Sequence, residues 1–176
     1  MAHVQERRVP GTSNRSLSQL RTAREHLIGR AVTGRPDFPG RLVAQCMFGF
    51  WVNLLDEGGY VGSGPSRRRV RYEPYWRQAL SRAFPGGRSE ARSLAGASFT
   101  RAWTHSVAKN VNILRNRVAH HEPLLNGFPL PGQSARMSAR EGFEEYLRLT
   151  RMIDRDLADW ITHNTRVPTL LSNRPS

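Results

Sequence analysis

At 176 residues the chain is long enough to bury one hydrophobic core and too short for two full domains. Its 38% hydrophobic and 23% charged residues exclude a wholly disordered protein. The formal charge of +13 makes a polyanion the expected partner, whether RNA, DNA or an anionic membrane. Because Lys109 is the only lysine, the arginine excess can also reflect composition alone.

The first third of the chain is expected to hold two helices after a polar lead-in. Residues 1–14 are predicted to be disordered, and a first helix starts near Ser16. A second helix is predicted from Leu42 to Leu54, apolar on more than one side and therefore central in the core. Its Cys46 stands alone, which excludes a disulfide framework and favours a reduced, cytoplasmic location. No apolar run reaches the length of a membrane span, so a soluble protein is expected.

Residues 56–71 are rich in glycine and then in arginine, and they are predicted to form a flexible basic loop. Arg67, Arg68 and Arg69 are candidate RNA contacts, because a flexible basic loop can follow a phosphate backbone. The plain alternative is a charged loop that is merely solvated. A short helix is predicted over 75–84, with another mobile stretch to about residue 91.

The second half of the chain is predicted to contain two long helices. One runs from about Phe99 to His121, with apolar residues recurring at steps of four and three, and the last spans about 138–165. All four tryptophans fall within apolar patterns and are expected to pack in the core. No run alternates well enough to predict a strand. The fold class is therefore all-α, an antiparallel helical bundle forming a single domain over 15–166, with a C-terminal tail at 167–176.

The segment RNRVAHHE at the end of the long helix carries the candidate chemistry. On a helical wheel, His121 falls close to the apolar stripe, whereas His120 lies about 130° away from it. Asn116 is four residues before His120, so its amide could orient the imidazole. Histidine moves protons near neutral pH, and a guanidinium holds phosphate oxygens. Arg115 and His120 could therefore cleave RNA without a metal, and Arg117 is a further candidate RNA contact.

Arg115 and His120 lie about 140° apart on the wheel. Bringing both to one phosphate requires the reach of the arginine, fraying of the helix end, or a second subunit, which makes a homodimeric site attractive. The plain alternative is a helix-end pair, in which the histidine complements the helix dipole and Arg115 pairs with Glu122. Adjacent His120, His121 and Glu122 diverge too much for a metal site, so no metal or cofactor is expected.

The segment LRNRVAHHEPL resembles the RxxxxH motif, with asparagine after the arginine, of the HEPN superfamily of helical ribonucleases. Three further segments look like the bacterial Abi-like proteins, a family tied to abortive phage infection: GRLVAQCMFGFW at 40–51, YEPYWRQALSRAFPG at 72–86 and DWITHNTRVPTLLSNRP at 159–175. The resemblance covers roughly 36–175. It implies a HEPN helical bundle, a catalytic motif of Arg115, Asn116 and His120, and a site formed across a homodimer.

Two functions are compatible with these features. The first is a metal-independent endoribonuclease of abortive-infection or toxin–antitoxin type, with tRNA as one candidate substrate and an antitoxin protein as a candidate partner. The alternative is a catalytically inactive HEPN-like module that binds RNA or a protein. Abi-like proteins usually have a further helical region ahead of the FGFW segment, where this chain offers about one helix, and that difference supports the alternative.

Overall fold

The computed structural model describes residues 38–61 and 64–173. The predicted lead-in and the first predicted helix lie outside these ranges. The contacts divide the chain after Tyr72 into two compact units, within the region for which the sequence predicts a single domain. The two units are described separately below.

The first unit begins with two short helices, α1 (Phe38–Gln45) and α2 (Phe48–Leu54). The prediction of one helix from Leu42 to Leu54 is wrong, because the helix is interrupted at Cys46 and Met47. Met47 adopts an extended conformation, with φ −66° and ψ 157°. The apolar spacing continues through this break, so periodicity alone does not detect it.

A β-hairpin follows in the same unit. Strand β1 (Gly58–Val61) pairs antiparallel with β2 (Arg68–Arg71), so that Gly58 lies opposite Arg71 and Val61 opposite Arg68. The prediction of a loop without strands over 56–71 is therefore wrong. Gly58 has φ 112°, and a Cβ there would overlap the carbonyl oxygen of Val70. Glycine permits this close approach, but glycine and arginine are poor indicators of a strand in a sequence.

The second unit contains six α-helices among its described residues. They are α3 (Glu73–Gln78), α4 (Gly87–Arg92), α5 (Arg101–Ala119), α6 (Ala139–Ile153), α7 (Arg155–Asn164) and α8 (Val167–Ser172). The helix predicted over 75–84 is instead α3 followed by a 3₁₀ turn, Leu80–Ala83. The stretch expected to be mobile up to residue 91 contains α4, and the predicted C-terminal tail contains α8.

Helix α5 confirms the prediction of a long helix in this part of the chain. Thr100 caps its start, where its Oγ1 accepts a hydrogen bond from the backbone N–H of Trp103 at 3.2 Å. The buried residues of α5 are Thr104, Val107, Ala108 and Val111. The predicted apolar stripe is not buried to its end, since Val118 is 56% exposed.

Helices α6 and α7 replace the single helix predicted over 138–165. A capping box starts α6, in which Ser138 and Glu141 exchange hydrogen bonds with each other's backbone. The bonds from the backbone and side chain of Ser138 hold the pKa of Glu141 below its usual range. Asp154 then ends α6 in an extended conformation and caps α7, accepting from the N–H of Leu157 at 3.0 Å. Apolar residues keep helical spacing across Asp154, which hides the break from a periodicity argument.

A second hairpin connects α5 to α6, where the sequence predicts only a turn. Strand β3 (Phe128–Pro129) pairs antiparallel with β4 (Arg136–Met137). Phe128 has no exposed surface and lies against Gly142 of α6, where an added Cβ would come within 3.1 Å of its ring. The Arg136 guanidinium closes the hairpin by donating to the carbonyls of Asn126 and Gly127 at 2.9 and 2.6 Å.

Most of the residues in 38–61 and 64–173 are helical, which confirms a predominantly helical fold. The antiparallel HEPN-like arrangement stays a prediction. Of the four tryptophans, Trp76 is buried, but Trp160 is 63% exposed and Trp51 is 37% exposed, so the expectation of core packing is wrong for these two. Within the same ranges, no helix combines the length and apolar character that crossing a bilayer requires.

Candidate functional site

The RNRVAHHE segment lies at the C-terminal end of α5. Arg115 and Asn116 belong to the last turns of the helix, and His120 is its C-cap. Arg115 and His120 are exposed, whereas Asn116 and Arg117 are half-buried. The prediction that His120 faces solvent is therefore confirmed.

The chain leaves α5 through a Schellman motif. The N–H of Glu122 donates to the carbonyl of Arg117 at 2.9 Å, and the N–H of His121 donates to that of Val118 at 3.1 Å. This motif needs a residue in the left-handed region, and His121 supplies it with φ 55°. Glycine is the usual residue there, because a Cβ disfavours that conformation.

The sequence predicts that His121 either packs against the core or caps the helix, and the structure shows capping. The wheel assumes that the helix continues to residue 121 and so places His121 near the apolar stripe, but α5 ends at Ala119 and His121 is exposed. A left-handed histidine carries strain of about 1–2 kcal/mol. Strain of this kind collects at functional sites, where the surrounding structure holds it in place.

The polar contacts also differ from those expected. Glu122 pairs with Arg117, whose Nη1 donates to its carboxylate, so the predicted pairing of Glu122 with Arg115 is wrong. Arg115 instead donates from Nη1 to Oδ1 of Asn116 at 3.0 Å. The amide oxygen of Asn116 thus holds the arginine rather than the imidazole of His120. Among the described residues, neither Arg115 nor His120 has a carboxylate partner.

Apolar surface is exposed beside this polar group. Val118 lies between Arg117 and the C-cap, and Leu125 follows in the connection to β3; each is 56% exposed. Exposed single apolar residues are common on protein surfaces. Here they lie beside Arg115 and His120, two exposed polar side chains that diverge around the helix.

The three hairpin arginines do not form one patch. The Arg67 guanidinium lies over the ring of Tyr60, 4.3 Å from its centroid, and Arg69 pairs with Glu57 at 3.5 Å. Arg68 is exposed on the opposite face of β2 from Arg69, because side chains alternate along a strand. A cation beside an exposed aromatic ring is a common arrangement in proteins that bind single-stranded nucleic acid.

Replacing His121 by glycine is expected to raise the free energy of unfolding by about 0.5–1 kcal/mol, because glycine relieves the left-handed strain at some cost in chain entropy. Urea unfolding followed by circular dichroism measures this change. The matched control is His163→Gly within α7, which is expected to destabilise, since glycine is a poor helix former. A loss of stability in His121→Gly would contradict the Schellman ending.

Metal-ligating side chains are not clustered in the part of the chain that the structure describes. Among residues 38–61 and 64–173, no three histidine, cysteine, aspartate or glutamate side chains are grouped so that they could hold a metal ion. Comparison with protein-family models, curated proteins and solved structures found no match for this chain. Membership of the Abi-like family therefore stays a prediction from the motifs alone.

Proposed function

We propose that this chain is a metal-independent endoribonuclease of the Abi-like, HEPN type, with its site at the end of α5. The observation that supports it is the pairing pattern there. Glu122 neutralises Arg117, whereas Arg115 and His120 are exposed without a carboxylate partner among the described residues. An exposed guanidinium can hold phosphate oxygens and an exposed imidazole can transfer a proton, which are two of the roles that RNA cleavage requires.

In the proposed reaction, the 2′-oxygen attacks the adjacent phosphorus while the bond to the 5′-oxygen breaks. The products are a 2′,3′-cyclic phosphate and a free 5′-hydroxyl. The His120 imidazole either accepts the proton of the 2′-hydroxyl or donates one to the leaving 5′-oxygen. Arg115 holds the nonbridging oxygens as negative charge develops, and Asn116 positions Arg115 through their 3.0 Å hydrogen bond.

Two proton transfers require two groups, and one His120 supplies only one of them. A homodimer would bring a second copy of the same histidine to the site. The exposure of Val118 and Leu125 supports an interface here, because it would bury apolar surface that is otherwise in contact with water. The divergence of Arg115 and His120 around α5 favours the same arrangement.

The hairpin arginines and the net charge of +13 support RNA as the substrate, and tRNA fits as a structured cellular example. A ribonuclease acting on such RNA would work in the cytoplasm. Unrestrained cleavage would harm the cell that makes the enzyme, so an antitoxin protein belongs to this proposal. The roles proposed for Arg67, Arg68 and Arg69 are backbone contacts, without sequence readout.

The test is incubation of the purified protein with total bacterial RNA in EDTA, followed by mapping of the new ends. We expect fragments that carry 2′,3′-cyclic phosphates and 5′-hydroxyls. Cleavage that appears only when a divalent cation is added would contradict the proposed chemistry. Binding of RNA by the folded protein without any cleavage would favour the binding-module alternative.

A further inference from the structure

A polar cavity lies at the opposite end of α5 from His120. Its volume is about 420 Å³, and it is lined by Arg88, Ala91, Arg92, Ala97, Ser98 and Phe99. The first three belong to α4, and the last three belong to the segment that leads into α5. None of these six residues is acidic.

The walls of this cavity are held by close packing. Gly87 leaves room for the Phe99 ring, which an added Cβ would overlap. The Trp76 ring packs against Phe99 in an edge-to-face arrangement, with centroids 5.2 Å apart. The N–H of Gly86 donates to the carbonyl of Met152 at 2.9 Å, which ties the start of α4 to the end of α6. The cavity is therefore preformed.

Among the described residues, no carboxylate pairs with the two arginines of the cavity. Arg88 and Arg92 are four residues apart on α4, so they share one face, and both are exposed. Glu90, the only acidic residue of α4, is buried and pairs with Arg151 at 3.0 Å. Elsewhere in the second unit carboxylates pair with Arg77, Arg101, Arg117, Arg148 and Arg151. Two like charges at this spacing repel each other, and a bound anion would relieve that repulsion.

We propose that this cavity binds a phosphate group of the RNA substrate, upstream or downstream of the one that is cleaved. This inference rests on the proposed ribonuclease function. Arg88 and Arg92 would hold the nonbridging oxygens, with the Ser98 hydroxyl as a further donor. The Phe99 ring at the wall would face the adjoining sugar or base.

The surface of α5 between the cavity and His120 could carry the RNA strand that connects the two sites. Positions 102, 106, 109, 116 and 120 lie within about 80° of one another on a helical wheel. Ala102 and Ser106 there are small and exposed, and Lys109 adds a positive charge midway. The 19 residues of α5 span about 28 Å, which corresponds to about eight nucleotides at 3.4 Å per phosphate along a stacked strand. The site therefore selects RNA longer than a few nucleotides.

The experiment measures binding of fluorescein-labelled single-stranded RNAs of about 4 and about 16 nucleotides, lengths set on either side of that span. The protein carries His120→Ala to prevent cleavage, and binding is followed by fluorescence anisotropy at several salt concentrations. The test variant adds Arg88→Gln and Arg92→Gln. The matched control adds Arg82→Gln and Arg166→Gln, which remove the same charge at exposed positions of the second unit outside the cavity. Circular dichroism checks that each variant is folded.

We expect the test variant to bind the longer RNA about tenfold more weakly at 0.1 M salt. Its salt slope should fall by about 0.7, the value for one phosphate contact on a single strand. Binding of the shorter RNA should not change, and the control variant should bind both RNAs like the parent.

An equal loss in the control variant, or an equal loss for both RNA lengths, would overturn the proposal. Titration with inorganic phosphate and with AMP separates a small-molecule site from an RNA site. Suppose that phosphate or AMP binds the His120→Ala parent tightly and the test variant weakly, while the longer RNA binds the two proteins equally. In that case the cavity binds a small phosphate ligand, and its assignment to RNA is wrong. Length-dependent binding by a wild-type protein that does not cleave RNA would overturn the ribonuclease function but leave this site intact.

Discussion

Replacing His120 by alanine is expected to lower the rate of RNA cleavage by about 10²–10⁴-fold, the range for loss of a positioned proton donor or acceptor. Because His120 is exposed at the end of α5, its removal should leave the helix folded. RNA affinity should change little, since arginines supply the phosphate contacts. Single-turnover cleavage of a labelled RNA in EDTA measures the effect, beside an anisotropy measurement of binding.

The matched controls are His121→Ala and His163→Ala, which remove exposed imidazoles with no proposed role in proton transfer. Both should retain at least about half of the wild-type rate, as surface substitutions usually do. Equal mixing of wild-type and His120→Ala subunits adds a test of the dimer. A site that uses both copies of His120 would keep about one quarter of the wild-type rate, since about one quarter of the dimers carry both histidines, whereas independent sites would keep about one half. A His120→Ala rate within tenfold of wild type would contradict the mechanism.

Replacing Phe128 by alanine is expected to lower the free energy of unfolding by about 3–5 kcal/mol, the cost of truncating a buried aromatic side chain. Phe128 has no exposed surface, and its ring fills the space left by Gly142 on α6. The β3–β4 hairpin should detach from the helix when the ring is lost. Urea denaturation, followed by circular dichroism and by tryptophan fluorescence, measures the change.

Gln133→Ala is the control for Phe128→Ala, because Gln133 lies in the turn of the same hairpin and is exposed. It should change stability by less than about 0.5 kcal/mol. Phe128→Leu should cost less than Phe128→Ala, since leucine fills part of the space. Equal effects of the alanine substitutions at 133 and 128 would show that the hairpin does not pack as described.

Sequence periodicity predicted the long helix α5 and missed the elements that interrupt or connect helices. The helices are interrupted at Met47 and at Asp154, but the apolar residues keep helical spacing across both positions. The periodicity of the sequence therefore does not reveal these interruptions. Aspartate is a preferred residue at the start of a helix, so Asp154 did indicate in the sequence that a new helix could begin there. The burial of Phe128 was not predicted, because this residue lies in NGFPLPG, a segment whose glycines and prolines predict a turn. Its burial depends on Gly142, which is distant in sequence.

At the candidate site, the wheel correctly placed His120 toward solvent. It was wrong for His121 because it assumed that the helix continues for two more residues. The Schellman motif turns the chain after α5 and brings Glu122 to Arg117. A helical wheel does not describe this turn, so it could not predict their salt bridge. The cavity with Arg88 and Arg92 was missed because α4 was taken for a mobile stretch; the pair of arginines four residues apart was the signal that could have indicated it.

The break at Asp154 has a consequence for local unfolding. The backbone hydrogen bonds of α6 do not continue without interruption into α7, because Asp154 is extended. The N–H of Leu157 donates to the Asp154 side chain instead of to a backbone carbonyl. Helix α7 buries only Ala158, and α8 has no buried residue. The C-terminal helices thus form a segment that can open without melting α5 and α6. Its amides should exchange with solvent deuterium well before those of α5, so the end of the chain can fluctuate while the candidate site stays folded.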